Sequence, residues 1–164
     1  MKTVLAVVAA LALAVPAASA APTQLEGELN GAPYRIVVPD GWNGTLVVYA
    51  HGYRDRADHP GETDVRVAEA APVAALEPAL LSMGYALAGS AYRRNGWAVQ
   101  EGIEDTKALV SLFRDTVGKP RRTLLWGFSM GSVITFALAE QTAGHFDCYL
   151  AACAVAAGPS PAWD

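Results

Sequence analysis

Cysteine is scarce in this sequence, and so are histidine, lysine and charge of either sign. Two cysteines in 164 residues are too few for a scaffold built on disulfides. Charged residues make up 17% and the net charge is −4, so the basic surface of a nucleic-acid binder is missing. At 52% hydrophobic residues, the chain is far from the composition of a disordered protein. Neither Gly-rich phosphate pattern, G-x-G-x-x-G or G-x-x-x-x-G-K, occurs, and nothing in the sequence implies a cofactor. Asp55, Asp58, Glu62 and Asp64 share one polar stretch, but they lack EF-hand spacing and its closing glutamate. They read as a surface loop rather than a metal site. The length fits one domain.

Long apolar runs are equally rare, with one exception at the start. Met1-Lys2 is a short positive opening, Val4 to Val15 is apolar throughout, and Pro16 breaks the run. Ala18-Ser19-Ala20 then supplies the small residues that signal peptidase requires. This is the three-part pattern of a secretory signal. As a helix the apolar run would rise only about 18 Å, short of the roughly 30 Å hydrocarbon core. The sequence therefore predicts a signal peptide over residues 1–20 and an exported chain over residues 21–164, periplasmic or extracellular. Without Lys2 its net charge falls from −4 to −5. No later stretch is apolar enough to span a bilayer, so no membrane partner is expected after cleavage. The sequence leaves the oligomeric state open.

Within residues 21–157 no repeat or linker appears. Gln24–Leu29 and Tyr34–Val38 read as strands joined by Asn30-Gly31, two residues that tolerate positive φ in a hairpin turn. Thr45–Ala50 (TLVVYA) is a continuous apolar, β-branched run, as expected of a strand buried on both faces. Val65–Met83 is Ala-rich and predicted helical, broken or kinked by Pro72 and Pro78. Tyr85–Ala91 is a further buried strand, followed by a polar loop, Tyr92–Gly96. Val99, Ile103, Thr106, Val110, Phe113 and Val117 recur at helical spacing and define one face of a helix that Gly118 and Pro120 end. Thr123–Trp126 (TLLW), a helix over Met130–Ala143 and a last apolar run, Tyr149–Ala157, complete the chain. Buried strands alternating with helices imply an α/β fold with a mostly parallel sheet and right-handed crossovers.

One pattern carries chemistry. Gly127-Phe128-Ser129-Met130-Gly131 is a G-x-S-x-G between a predicted strand and a predicted helix. Small neighbours allow a sharp turn there, and the serine side chain projects above the sheet. The helix opens at once, so its free N–H groups and positive dipole end face the reacting centre. The Met130 N–H is one expected oxyanion donor. His51-Gly52 ends the TLVVYA strand, where a second donor is needed. That donor is assigned to the Tyr53 N–H, with the Gly52 N–H as the alternative.

Residues 24–157 resemble the N-terminal half of an α/β-hydrolase of a secreted esterase-like or peptidase-like branch. The resemblance rests on the strand order, on YAHGY as the oxyanion loop, on GYALAGSAYRRNGW and on WGFSMG as the nucleophile elbow. It implies Ser129 as the nucleophile of a serine hydrolase acting on esters or peptides, with a histidine and an acid arriving later in the chain. Ser132 departs from the pattern by standing where many members carry a further glycine. The larger departure is that the sequence ends at Asp164, after about the sixth strand and before the expected acid and histidine. The expectation is a sheet cut short there, with an apolar edge and an uncovered face.

The three histidines offer no ready substitute. About 14 helical residues at roughly 1.5 Å each place His145 near the far end of the sheet, so it and Asp147 are excluded. His51 is on the correct edge but expected to be structural, and His59 lies in a loop. Asp164 stands where a minority of relatives place their acid, and a chain end is a poor place to orient a base. Cys148 and Cys153 are five apart, which turns their side chains to opposite faces of a strand, so buried thiols are expected. Arg93, Arg94, Asn95 and Trp97 are read as a solvated loop with a docked Trp in preference to a substrate-binding group. The functional expectation is a serine hydrolase taking a small ester or peptide. The alternative is a non-catalytic protein on the same core. Mass spectrometry of the exported protein should find Ala21 at its N-terminus, and Ala20→Arg should leave the precursor uncleaved.

Overall fold

The structure, a computed structural model, describes residues 21–56, 66–141 and 145–156. Its elements are β1 (Thr23–Leu29), β2 (Ala32–Val38), β3 (Thr45–Ala50), α1 (Leu76–Ser82), β4 (Ala86–Ser90), α2 (Val99–Thr116), β5 (Arg122–Phe128), α3 (Met130–Gln141) and β6 (Cys148–Ala152). The strands form one sheet in the order β1-β2-β4-β3-β5-β6. β1, β2 and β4 pair antiparallel, and β4, β3, β5 and β6 run parallel. Asn30 and Gly31 have φ of 53° and 83°, the two positive values that match a tight hairpin turn to strand twist.

β3 is the central strand. Leu46, Val48 and Ala50 face α2 and α3, while Val47 and Tyr49 face the other side, and all five are buried. The main core lies between the sheet and the two long helices, around Leu109, Phe113, Leu125, Ile134 and Leu138. A smaller core on the opposite face joins Val37, Val47, Ala70 and Leu87 to Leu80 and Leu81 of α1. Arg35 of β2 clamps α1 with a forked pair to Glu77 at 2.5 and 2.7 Å. That pair and Glu26 hold the guanidinium pKa above its ordinary value.

The connections place the site. From β3 the chain runs to β4 on one side, and from β5 it runs to β6 on the other. The carboxyl ends of β3 and β5 therefore meet at a topological switch point, the place where open α/β sheets bind ligands. His51 follows one of these ends and Ser129 the other.

Two expectations need correction. The helix expected over Val65–Met83 is confined to Leu76–Ser82, and residues 66–75 are irregular. Pro72 has no N–H for a helix interior, whereas Pro78 sits in the first turn of α1, where that N–H is not needed. Cys148 and Cys153 are exposed and free rather than buried. β6 is the outermost strand among the described residues; Cys148 shares a face with Leu150, which is 53% exposed, while Cys153 lies past the strand end with φ of 51°.

Phe113 is fully buried and meets Trp42 edge-on at 5.5 Å. Phe113→Ala should lower stability by about 3–5 kcal/mol, read as a fall in the urea midpoint.

Candidate active site

The turn from β5 to α3 is built by close approach. A Cβ at Gly127 would stand 2.1 Å from the Gly131 carbonyl oxygen, and a Cβ at Gly131 would stand 2.0 Å from that of Ala50. Only glycine fits either place, so α3 starts hard against the ends of β3 and β5. The residue between them, Ser129, takes φ of 54°, a left-handed value rare outside glycine. Its N–H donates to the Ala152 carbonyl at 3.0 Å, and its own carbonyl accepts from the Ser132 N–H at 2.8 Å and the Ser132 hydroxyl at 2.5 Å. The Ser132 hydroxyl in turn accepts the Val155 N–H at 3.2 Å. The departure from glycine at 132 thus supplies a bond that ties the elbow to the chain after β6.

Ser129 is half-buried, and its hydroxyl is bonded to no described residue. Gly52 faces it: a Cβ at Gly52 would lie 3.2 Å from the Ser129 Cβ and 3.7 Å from its Oγ. The Met130 N–H is the first of α3 and has no intrahelical acceptor. No acidic residue occupies the first turn of α3, so its positive end is not neutralised from within.

His51 holds the loop after β3 in shape. Its imidazole is buried (3% exposed) and stacked on Tyr92 with centroids 3.9 Å apart. Nδ1 lies 2.6 Å from the Gly52 carbonyl, which can only accept, so Nδ1 carries the proton. Because the peptide is trans, the Tyr53 N–H points opposite to that carbonyl, away from the imidazole, and it meets no backbone acceptor among the described residues. Past Tyr53, the Gly96 N–H donates to the Arg54 carbonyl at 2.8 Å and the Asn95 side chain donates to the Asp55 carbonyl at 2.7 Å. The loops after β3 and β4 are zipped together on both sides of Tyr53.

The structure brings Ser129, Met130, Gly52 and Tyr53 to one sheet edge. His145 and Asp147 sit before β6, at the opposite edge; Asp147 caps Thr123 at the start of β5. His59 and Asp164 lie outside the described residues, as do Asp58, Glu62 and Asp64. Arg93 pairs with Glu104 and with Asp105 at 3.2 Å, and Arg94 pairs with Glu101 at 3.2 Å. These arginines are held by α2, but the loop is not the solvated one expected: Tyr92, Asn95 and Gly96 are buried, and Trp97 is exposed rather than docked. A cavity of about 600 Å³ lies away from Ser129, between the β1–β2 hairpin and residues 66–77. Its Arg35 and Arg66 are already paired with Glu77, Glu26 and Glu28. Among the described residues no cluster could hold a metal ion, and no helix is long and apolar enough to cross a membrane.

Sequence reasoning missed Tyr92 and Asp105. Asp105 is buried on the inner face of α2 and accepts the Arg93 N–H at 2.9 Å. Burial raises its pKa, and the Arg93 N–H and charge oppose that rise. An acidic residue among the apolar positions of the α2 face was the available signal.

Burial first, and then the Arg54 charge, push the His51 pKa down to about 4, against weaker opposition from the Gly52 and Ala91 backbone. The Ala91 backbone lies outside hydrogen-bonding geometry, and among the described residues Nε2 meets no partner. His51 is therefore neutral at neutral pH. A folded pKa below the unfolded 6.5 means that the folded state binds fewer protons between the two values. The His51 contribution is complete above pH 6.5 and declines as pH falls toward 4, by about 3 kcal/mol in all. Denaturant titrations at pH 7.5 and 4.5 should show a smaller acid loss in His51→Gln than in the wild type.

No known family profile matches the sequence. An o-phthalyl amidase of Xanthobacter agilis is 29% identical over 129 residues, covering 76% of this chain and 26% of the amidase. An esterase of Pyrococcus furiosus superposes with a TM-score of 0.54 at 21% identity, over 78% of this chain and 50% of the esterase. A dienelactone hydrolase of Anabaena variabilis gives 0.56 at 12% identity, over 79% and 62%. The chain thus spans from about a quarter to under two thirds of the proteins it resembles. The sheet order, the crossovers and these superpositions agree: the chain has the α/β-hydrolase fold, with six strands among the described residues.

Proposed function

We propose that this chain carries the nucleophile of a serine hydrolase acting on ester or amide bonds. The Ser129 Oγ attacks an acyl carbonyl, and the oxyanion that forms is received by the Met130 and Tyr53 N–H groups. The alcohol or amine leaves, and water resolves the acyl-enzyme. The base and the acid that orients it come from outside the described residues, since His51 is committed to Gly52 and His145 is at the far edge. The substrate is a small ester or peptide, met outside the cytoplasm after the 1–20 segment is removed.

The observation that carries this reading is the left-handed Ser129 held between Gly127 and Gly131 with Gly52 opposite its hydroxyl. A backbone conformation costing of order 1–3 kcal/mol persists only where the surroundings impose it. Here it presents a hydroxyl and amides that meet no partner among the described residues. The amidase and esterase resemblances support acyl transfer as the reaction class. The alternative, a non-catalytic protein on this core, draws on the lack of a base at Ser129 among the described residues.

Incubation with a fluorophosphonate should label the protein at Ser129, and Ser129→Ala should abolish labelling. Persistent labelling in Ser129→Ala removes Ser129 from the mechanism. A folded wild type that takes up no probe favours the non-catalytic reading.

A further inference from the structure

Tyr92 does more than a core tyrosine needs to do. It is fully buried, yet its backbone is left-handed, with φ of 56°. Side chains on either side of the turn hold it there. The Tyr92 N–H donates to the Ser90 hydroxyl at 3.0 Å, and the next N–H, of Arg93, donates to buried Asp105 at 2.9 Å. A residue that only filled space between sheet and helix would not require this conformation. The turn sets one thing in particular, the direction of the Tyr92 ring.

That ring lies on the His51 imidazole, 3.9 Å away and within 24° of parallel. Its hydroxyl approaches the His51 carbonyl at 3.3 Å. This distance is long for an O–H···O bond, so the ring contact does most of the work. His51 then fixes the Gly52 carbonyl through Nδ1–H, and a trans peptide allows the Tyr53 N–H a single direction once that carbonyl is fixed.

We propose that Tyr92 is a positioning residue: packed on His51, it fixes the Gly52–Tyr53 peptide and so aims the Tyr53 N–H at the oxygen bound beside Ser129. The catalytic half of this statement rests on the hydrolase reading above. The contact between Tyr92, His51 and the loop does not.

Three variants and two readouts test it. The rate of Ser129 labelling by a fluorophosphonate is resolved into a maximal rate and a half-saturating concentration. Independently, the His51 imidazole is followed by nitrogen-15 NMR, which reports which ring nitrogen carries the proton. Tyr92→Phe keeps the ring and should lower the maximal rate only a few-fold. Tyr92→Leu should lower it about 100-fold, near the loss of a whole oxyanion donor, with the half-saturating concentration unchanged. Its His51 Nδ1–H signal should be lost. Phe113→Leu, a core change on α2 outside this chain of contacts, should reduce stability and leave both readouts at wild-type values. A folded Tyr92→Leu with wild-type labelling and an unaltered His51 signal overturns the proposal. If Tyr92→Leu does not fold, Tyr92→Met takes its place with the same expected losses, and a folded Tyr92→Met with wild-type labelling and an unaltered His51 signal overturns the proposal. A wild type that takes up no probe defeats the hydrolase reading. The His51 signal of Tyr92→Leu then still decides the positioning contact, and an unaltered signal defeats it as well.

Discussion

The first turn of α3 touches the end of β3, and the site depends on that contact. Gly131 sits where any side chain would run into the Ala50 and His51 carbonyls, and Gly127 sits where any side chain would run into Gly131. With strand and helix this close, the chain has one residue in which to turn. Ser129 takes the left-handed conformation that such a turn demands, at a cost of about 1–2 kcal/mol. Three hydrogen bonds to its backbone, from Ser132 and to Ala152, offset that cost at roughly 0.5–1.5 kcal/mol each. The side chain is left above the sheet, and the first amides of α3 are left beside it.

The loop facing Ser129 is held by different means. A side chain at Gly52 would crowd Ser129, at 3.2 Å from its Cβ, and the Phe128 carbonyl, at 3.3 Å. The Gly52 peptide is oriented by an imidazole that burial keeps neutral. A charged His51 would donate from both nitrogens, and its Nε2 has no acceptor among the described residues. Beyond Tyr53 the loop is zipped to the residues after β4, which are anchored in turn to acidic side chains of α2. Rigidity here comes from polar contacts between loops, whereas the elbow is rigid because nothing but glycine fits.

Much of this was legible in the residues. Asn30-Gly31 marks the hairpin and TLVVYA the central strand, because each is governed by its own backbone preferences and burial pattern. The α2 face followed from spacing for Ile103, Thr106, Val110 and Phe113. G-x-S-x-G between strand and helix pointed to the elbow, since its steric rule is local. The stretch before Pro78 misled, because alanine content favours a helix while Pro72 forbids one through it. Cys148 is exposed because β6 is apolar in composition but outermost in the sheet, and Cys153 because the strand ends before it.

The sequence alone determined the alternation of strands and helices, the sharp bend at Ser129 and the glycines that permit it, since these are properties of a few adjacent residues. Only the tertiary structure decided which side chains hold the loop facing Ser129. Tyr92 and His51 are forty-one residues apart, and Arg93 and Asp105 twelve. They meet because β3 and β4 lie side by side in the sheet and α2 packs across them. Neither spacing nor composition encodes that adjacency; it arises when the sheet order is set by burying β3 on both faces.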